Sequence, residues 1–233
     1  MRSLSLSRSR ADPAIARAVP FVLFIGLLML GSNLAPEGGA HDMGMSAGWV
    51  VAGRGVIVAL ALAWFWPRYT ELAAPGGVAA RSWLQATIIG LALFPLWVYF
   101  SQDWAVVGTR SGFSPLLPDG SLSWPVALVR LAGIALVVPV MEELFWRSLV
   151  LRWIEDRDFQ HVSPRAVGAK SFIIVTVLFA LEHDHWVGGA LAGAAYNWLY
   201  MRAGNLWVPI LAHVLTNAAL GVWVLYSHQW QFW

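Results

Sequence analysis

Three groups of ionisable side chains lie inside otherwise apolar stretches of this 233-residue chain. The first is Glu142-Glu143-Leu144-Phe145-Trp146-Arg147. Glu143 and Arg147 are four apart, so they share a helix face and can pair. Glu142 points about 100° away and is left for other work. A glutamate held between burial and a neighbouring cation suits a general base. The second group is Glu182-His183-Asp184-His185, at the end of the apolar run Phe172 to Leu181. The plain reading of His183 is a helix-terminal residue bonded to a carbonyl, with Glu182, Asp184 and His185 at the membrane surface. Adjacent residues on a helix point apart, so the tetrad alone is not a metal cluster. The third group is His213-Val214-Leu215-Thr216-Asn217. His213 and Asn217 share a face and can serve as interhelix hydrogen-bonding glue.

Charged groups inside a bilayer are costly and mark function by default. Depth decides whether the three groups can meet. Counted from inner ends at Arg152, Ala169 and Asn205, Glu142 lies roughly 15 Å up, His183 roughly 21 Å and His213 roughly 12 Å. All fall in the middle part of a hydrocarbon core of roughly 30 Å. One glutamate, two histidines and an asparagine at similar depth can form a hydrolytic site. Glutamate and one histidine would activate water, and the other histidine and Asn217 would donate to the developing oxyanion. The chain has no cysteine, which excludes thiolate nucleophiles, thiolate zinc sites and disulfides. It also lacks His-Glu-x-x-His and Gly-x-Ser-x-Gly.

The elements that must position these residues are membrane helices. Hydrophobic residues make up 58% of the chain and charged residues 12%, which excludes a disordered chain and argues against a soluble globule. Mean hydropathy is +0.62. A spanning helix needs about 20 mainly apolar residues. The stretches 14–34, 47–66, 83–101, 124–152, 169–184, 185–201 and 205–227 qualify, the fifth and sixth being short and meeting at the polar tetrad. The first is read as an uncleaved helix rather than a signal peptide. The expected fold is all-α and polytopic, a single transmembrane domain over 1–233. Its helices in 1–123 carry no catalytic motif, and 124–220 form the motif-bearing half.

Basic residues gather on one side of that arrangement. With the N-terminus inside, the inner segments hold Arg2, Arg8, Arg10, Arg17, Arg68, Arg81, Arg152, Arg157, Arg165, Lys170 and Arg202. Arg110 alone falls in an outer loop, and Arg54, Arg130 and Arg147 lie within spans. Orientation therefore explains the pI near 9.3, and nucleic acid is not expected as a partner. Many tryptophans, Trp49, Trp64, Trp124 and Trp207 among them, sit near span ends, where indoles favour the headgroup level.

The ordered set Glu142-Glu143-x-x-x-Arg147, Phe179-x-x-x-His183 and His213-x-x-x-Asn217 resembles the three motifs of the CAAX protease and bacteriocin-processing (CPBP) intramembrane endopeptidases. These include the type II CAAX prenyl endopeptidases. The resemblance implies a helical fold, usually of about eight helices around a conical cavity; seven or eight are expected here, an eighth falling within 35–48 or 104–122. It implies a water-activating role for Glu142 with His183, an oxyanion pair in His213 and Asn217, and structural positions at Glu143, Arg147 and Phe179. It implies access to the site from the cytoplasmic side. It leaves open a metal-free mechanism or a divalent metal such as zinc on Glu142, His183 and His213. The wording Glu-Glu-Leu-Phe-Trp-Arg and the compact length are similar to an exosortase-associated bacterial subgroup. The expected partners are membrane lipids and a membrane-associated or lipidated peptide substrate, in a bacterial inner membrane.

Two other classes compete with an endopeptidase. A non-catalytic scaffold or immunity protein could keep the fold, but has no need of a free buried glutamate. A proton-coupled carrier could use buried Glu and His, but no matching halves occur, and the intramembrane carboxylates and histidines lie after residue 140.

Overall fold

The computed structural model describes residues 12–34, 44–73, 76–108 and 112–233. Arg2, Arg8, Arg10 and Arg110 lie outside them, as does most of the 35–48 stretch considered for an eighth helix. Seven long helices occur among the described residues: α1 (Pro13–Leu34), α2 (Gly44–Phe65), α3 (Ala80–Tyr99), α4 (Trp124–Trp153), α5 (Ala169–Leu181), α6 (Trp186–Ala203) and α7 (Trp207–Ser227). Each coincides with one of the expected apolar stretches. Helices α1, α2, α3, α4 and α7 are long and apolar enough to cross a membrane. Helix α5 is apolar but has only 13 residues, about 20 Å of rise. The protein is therefore a polytopic helical membrane protein. Its outer surface is correspondingly apolar: Trp64 and Tyr226 are 77% and 88% exposed.

No helix forms among the described residues of 104–122 beyond the single turn Asp103–Ala105. Prolines at 115 and 118 and a left-handed Gly120 (φ 82°) break the segment, which closes instead on the bridge Leu116 to Leu122.

Helix α6 is glycine- and alanine-rich, and this sets how α5 meets it. Gly189 faces the backbone of Ala180, and a Cβ on Gly193 would lie 3.3 Å from Phe179. Small residues spaced by four let membrane helices approach closely. Gly90 does the same for α3 against α7, where any side chain would collide with the Ala212 backbone.

Helix α4 is not a regular α-helix. Gly133–Val137 and Glu143–Val150 are π-helical. The Val138 N–H bonds to the Gly133 carbonyl and the Leu151 N–H to the Trp146 carbonyl, five residues back in each case. Pro139 accounts for the first irregularity. It has no N–H, so the Ile134 carbonyl, its partner in the five-residue register, receives no backbone donor.

The arginine-rich end of the bundle is closed by a buried polar cluster. Arg17 of α1 bonds through Nε to Glu71 and to Ser148, both at 2.9 Å, and through Nη1 to the Pro13 carbonyl at 2.8 Å. Arg152 bonds to the Ser148 carbonyl at 2.7 Å and lies 3.6 Å from Glu71. The Ser148 hydroxyl donates to Glu71. Phe159 lies beneath both guanidinium groups, 5.3 and 5.2 Å from them. Arg17 and Arg152, expected simply on an inner face, thus tie α1 and the turn after α2 to the lower end of α4.

Burial alone would raise the pKa of Glu71, but the hydrogen bond and charge of Arg17 outweigh it and hold the carboxyl below its ordinary 4.5. A depressed folded pKa contributes stability above the ordinary carboxylate range and loses it as pH falls through the folded value. Unfolding in detergent should therefore become easier on acidification below pH ~4.5. Arg17→Ala should flatten that dependence and cost roughly 3 kcal/mol at neutral pH, because it leaves Glu71 poorly compensated.

Candidate active site

Arg147 is fully buried and each of its three side-chain nitrogens donates within the protein. Nη1 donates to Glu143 at 3.1 Å, Nε to the Asn197 side-chain oxygen at 3.1 Å and Nη2 to the Gly193 carbonyl at 3.3 Å. Its flat face lies on Phe179, 4.4 Å from the ring centre, and 5.3 Å from Tyr196. Asn197 is held in turn by the Phe172 carbonyl and the Thr176 hydroxyl. The expected pairing of Glu143 with Arg147 is present.

Glu143 does more than pair. Its Oε1 also accepts from Nδ1 of His213 at 3.0 Å. His213 Nε2 lies 3.9 Å from Oε2 of Glu142. Both carboxylates therefore converge on one imidazole, where the helical wheel separated them by about 100°. They sit where regular α-helix passes into the π-helical segment, and the wider turn changes the angular spacing on which that estimate rests.

His213 is set by a chain of contacts that starts in α3. The Thr216 hydroxyl donates to the Gly90 carbonyl at 2.8 Å and accepts from the Tyr196 hydroxyl at 2.9 Å. Tyr196 stacks on the His213 ring at 4.8 Å. The bare Gly90 that admits α3 thus also helps orient the histidine.

His183 bonds through Nδ1 to the Phe179 carbonyl at 2.7 Å. A carbonyl only accepts, so Nδ1 carries the proton and Nε2 of the neutral ring is an acceptor. The plain reading of this residue holds for one nitrogen, while the ring itself lines a cavity. Asn217 donates from Nδ2 to the Ile134 carbonyl at 2.9 Å. That is the carbonyl orphaned by Pro139, so one N–H of Asn217 is structural and the other remains.

One cavity of about 400 Å³ is lined by Glu142, His183, His213 and Asn217 together. Oε2 of Glu142 is buried there and accepts from no protein donor. Glu182 and His185, expected at the membrane surface, line the same cavity. Glu182 is drawn inward because its Oε2 accepts from the Trp146 indole at 2.8 Å. Tyr196 and Asn197 escaped the sequence reading, and Thr216 was given no role there; a tyrosine beside an asparagine within α6 was the available signal.

Among the described residues no three His, Asp or Glu side chains gather into a metal-binding group. Glu142, His183 and His213, the set considered for zinc, are not gathered into such a group. No step below is routed through a metal.

The fold and cavity define a polytopic membrane protein with a buried polar site shared by α4, α5 and α7. Residues 123–219 match the family model for Rce1-like proteins, type II CAAX prenyl endopeptidases. The motif-bearing part of the chain is thus similar to that family of membrane peptidases. No curated protein and no solved structure matches the chain.

The role of Asn217 as a substitute donor can be separated from any chemistry. Asn217→Ala should destabilise the protein by about 1–3 kcal/mol, the cost of an unpaired buried carbonyl. In a Pro139→Ala background, where a new N–H can reach Ile134, the same change should cost less. A double-mutant cycle on detergent unfolding reads the coupling; additive effects would break the link between Pro139 and Asn217.

Proposed function

We propose that the protein cleaves a peptide bond within the membrane with a water activated by Glu142. What supports the reading most is the buried, unpartnered Oε2 of Glu142 in a cavity shared with His183, His213 and Asn217. The 3.9 Å gap to His213 is too long for a direct hydrogen bond and leaves Oε2 of Glu142 free to accept from a water. The water donates one proton towards Glu142 and the other towards Nε2 of His183. As its oxygen bonds to the peptide carbonyl carbon, Glu142 takes a proton. When the C–N bond breaks, that proton goes to the leaving amine. The free N–H of Asn217 faces the developing oxyanion. His213 can donate from Nε2 only as imidazolium, with Glu143 at its back through Nδ1.

The substrate is a membrane-associated or lipidated peptide. The exosortase-associated resemblance supports a surface-directed substrate in a bacterial inner membrane. The arginine distribution supports an N-terminus in the cytoplasm. In that orientation the cavity, whose far lining comes from Arg130, Asp184 and Gln231–Trp233, opens away from the cytoplasm. This differs from the access side that the resemblance implies.

Glu142→Gln keeps shape and removes the base. In nanodiscs, it should slow cleavage of fluorogenic peptides, with or without a prenylated cysteine, by about 10²–10⁴-fold while unfolding is little changed. Undiminished turnover would leave a scaffold role as the better reading.

A further inference from the structure

Two half-buried arginines have no part in the scheme above. Arg54 of α2 and Arg130 of α4 meet where those helices touch: a Cβ on Gly55 would lie 2.9 Å from the Gly133 Cα. Arg54 adjoins Gly55, and Arg130 is one turn before Gly133, so the two positive charges act on each other. The Nε of each is buried without an acceptor. Among the described residues neither guanidinium has a carboxylate or carbonyl partner. Arg17, Arg147 and Arg152, by contrast, are all bonded.

Arg130 is held by aromatic faces instead, 5.2 Å from the Phe113 ring centre and 5.7 Å from that of Trp233. Aromatic faces stabilise the charge but leave the N–H edge of a guanidinium unspent. That edge belongs to a side chain lining the cavity that holds Glu142. Arg130 thus points inward to the site rather than outward to lipid headgroups. Asp184, exposed at the same mouth, forms no ion pair with it among the described residues. Two adjacent cations in an apolar setting call for an anion, and a fork of N–H donors matches a carboxylate.

We propose that Arg130, backed by Arg54, is the receptor for a carboxylate of the bound peptide. The proposal rests on Glu142 being the site of hydrolysis, and it also sets a spacing. Twelve residues of helix separate Arg130 from Glu142, on the order of 18 Å. An extended peptide covers about 3.3–3.6 Å per residue. The recognised carboxylate therefore lies about five residues from the scissile bond. It is either the peptide's own terminus or an acidic side chain at that distance.

The test uses the full chain in phosphatidylcholine nanodiscs and fluorescent peptides of one sequence in three forms. These are a free C-terminal acid, a C-terminal amide, and an amide carrying glutamate five residues beyond the cut. Glu142→Gln, which binds without turnover, should hold the acid or the glutamate form about tenfold or more tighter than the plain amide. Whichever form gains identifies the source of the carboxylate. Arg130→Gln should erase the preference and Arg130→Lys should keep part of it. Equal binding of all three forms, which needs no change at Arg130, overturns the proposal, as does binding of none. Discrimination without any cleavage by the unaltered protein would sink the hydrolase reading and leave the receptor standing. If Arg130→Gln changes only the uptake of phosphatidylglycerol, the site holds a lipid phosphate and the peptide proposal is wrong.

Discussion

A full positive charge at the centre of an apolar bundle is the constraint around which the rest is arranged. Arg147 has no exposure to solvent, so each of its N–H directions must be met by protein. Meeting them recruits Glu143 from its own helix and Gly193 and Asn197 from α6, with Phe179 of α5 beneath the ring plane. Three helices are thereby held in one register. Glu143, once fixed by Arg147, presents the same oxygen to His213 and so brings in α7.

A second constraint follows from hydrocarbon itself. Backbone groups in a membrane cannot turn to water, so an interrupted helix must find its donors inside the protein. Pro139 interrupts α4, and Asn217 supplies the missing N–H to Ile134. The repair places an amide beside the cavity and leaves its second hydrogen unspent. One hydrogen of the side chain is thus structural and the other is not. The same division applies to His183, whose Nδ1 ends a helix while Nε2 faces the cavity.

The two ends of the bundle differ in how their charges are handled. At the arginine-rich end, Arg17 and Arg152 share Glu71 and Ser148, and the cluster is closed. At the other end, Arg130 lies against the Phe113 and Trp233 rings, and neither it nor Arg54 has an anion of its own among the described residues. A cluster satisfied from within is architecture. One left a charge short, in a cavity wall, is arranged for something that arrives from outside.

Much of this was legible in the chain alone. Apolar run lengths placed seven helices within a few residues, because crossing hydrocarbon imposes a length that composition must show. The depths of Glu142, His183 and His213 followed from helical rise, and their order carried the family resemblance. Angular relations were another matter. Glu142 and Glu143 both approach one histidine, and Glu182 meets the Trp146 indole. The inward aim of Arg130 was equally hidden. Length and depth are properties of one segment and can be read along it. Which side chains face each other depends on turn geometry and on the neighbouring helices, and only the packed bundle decides that.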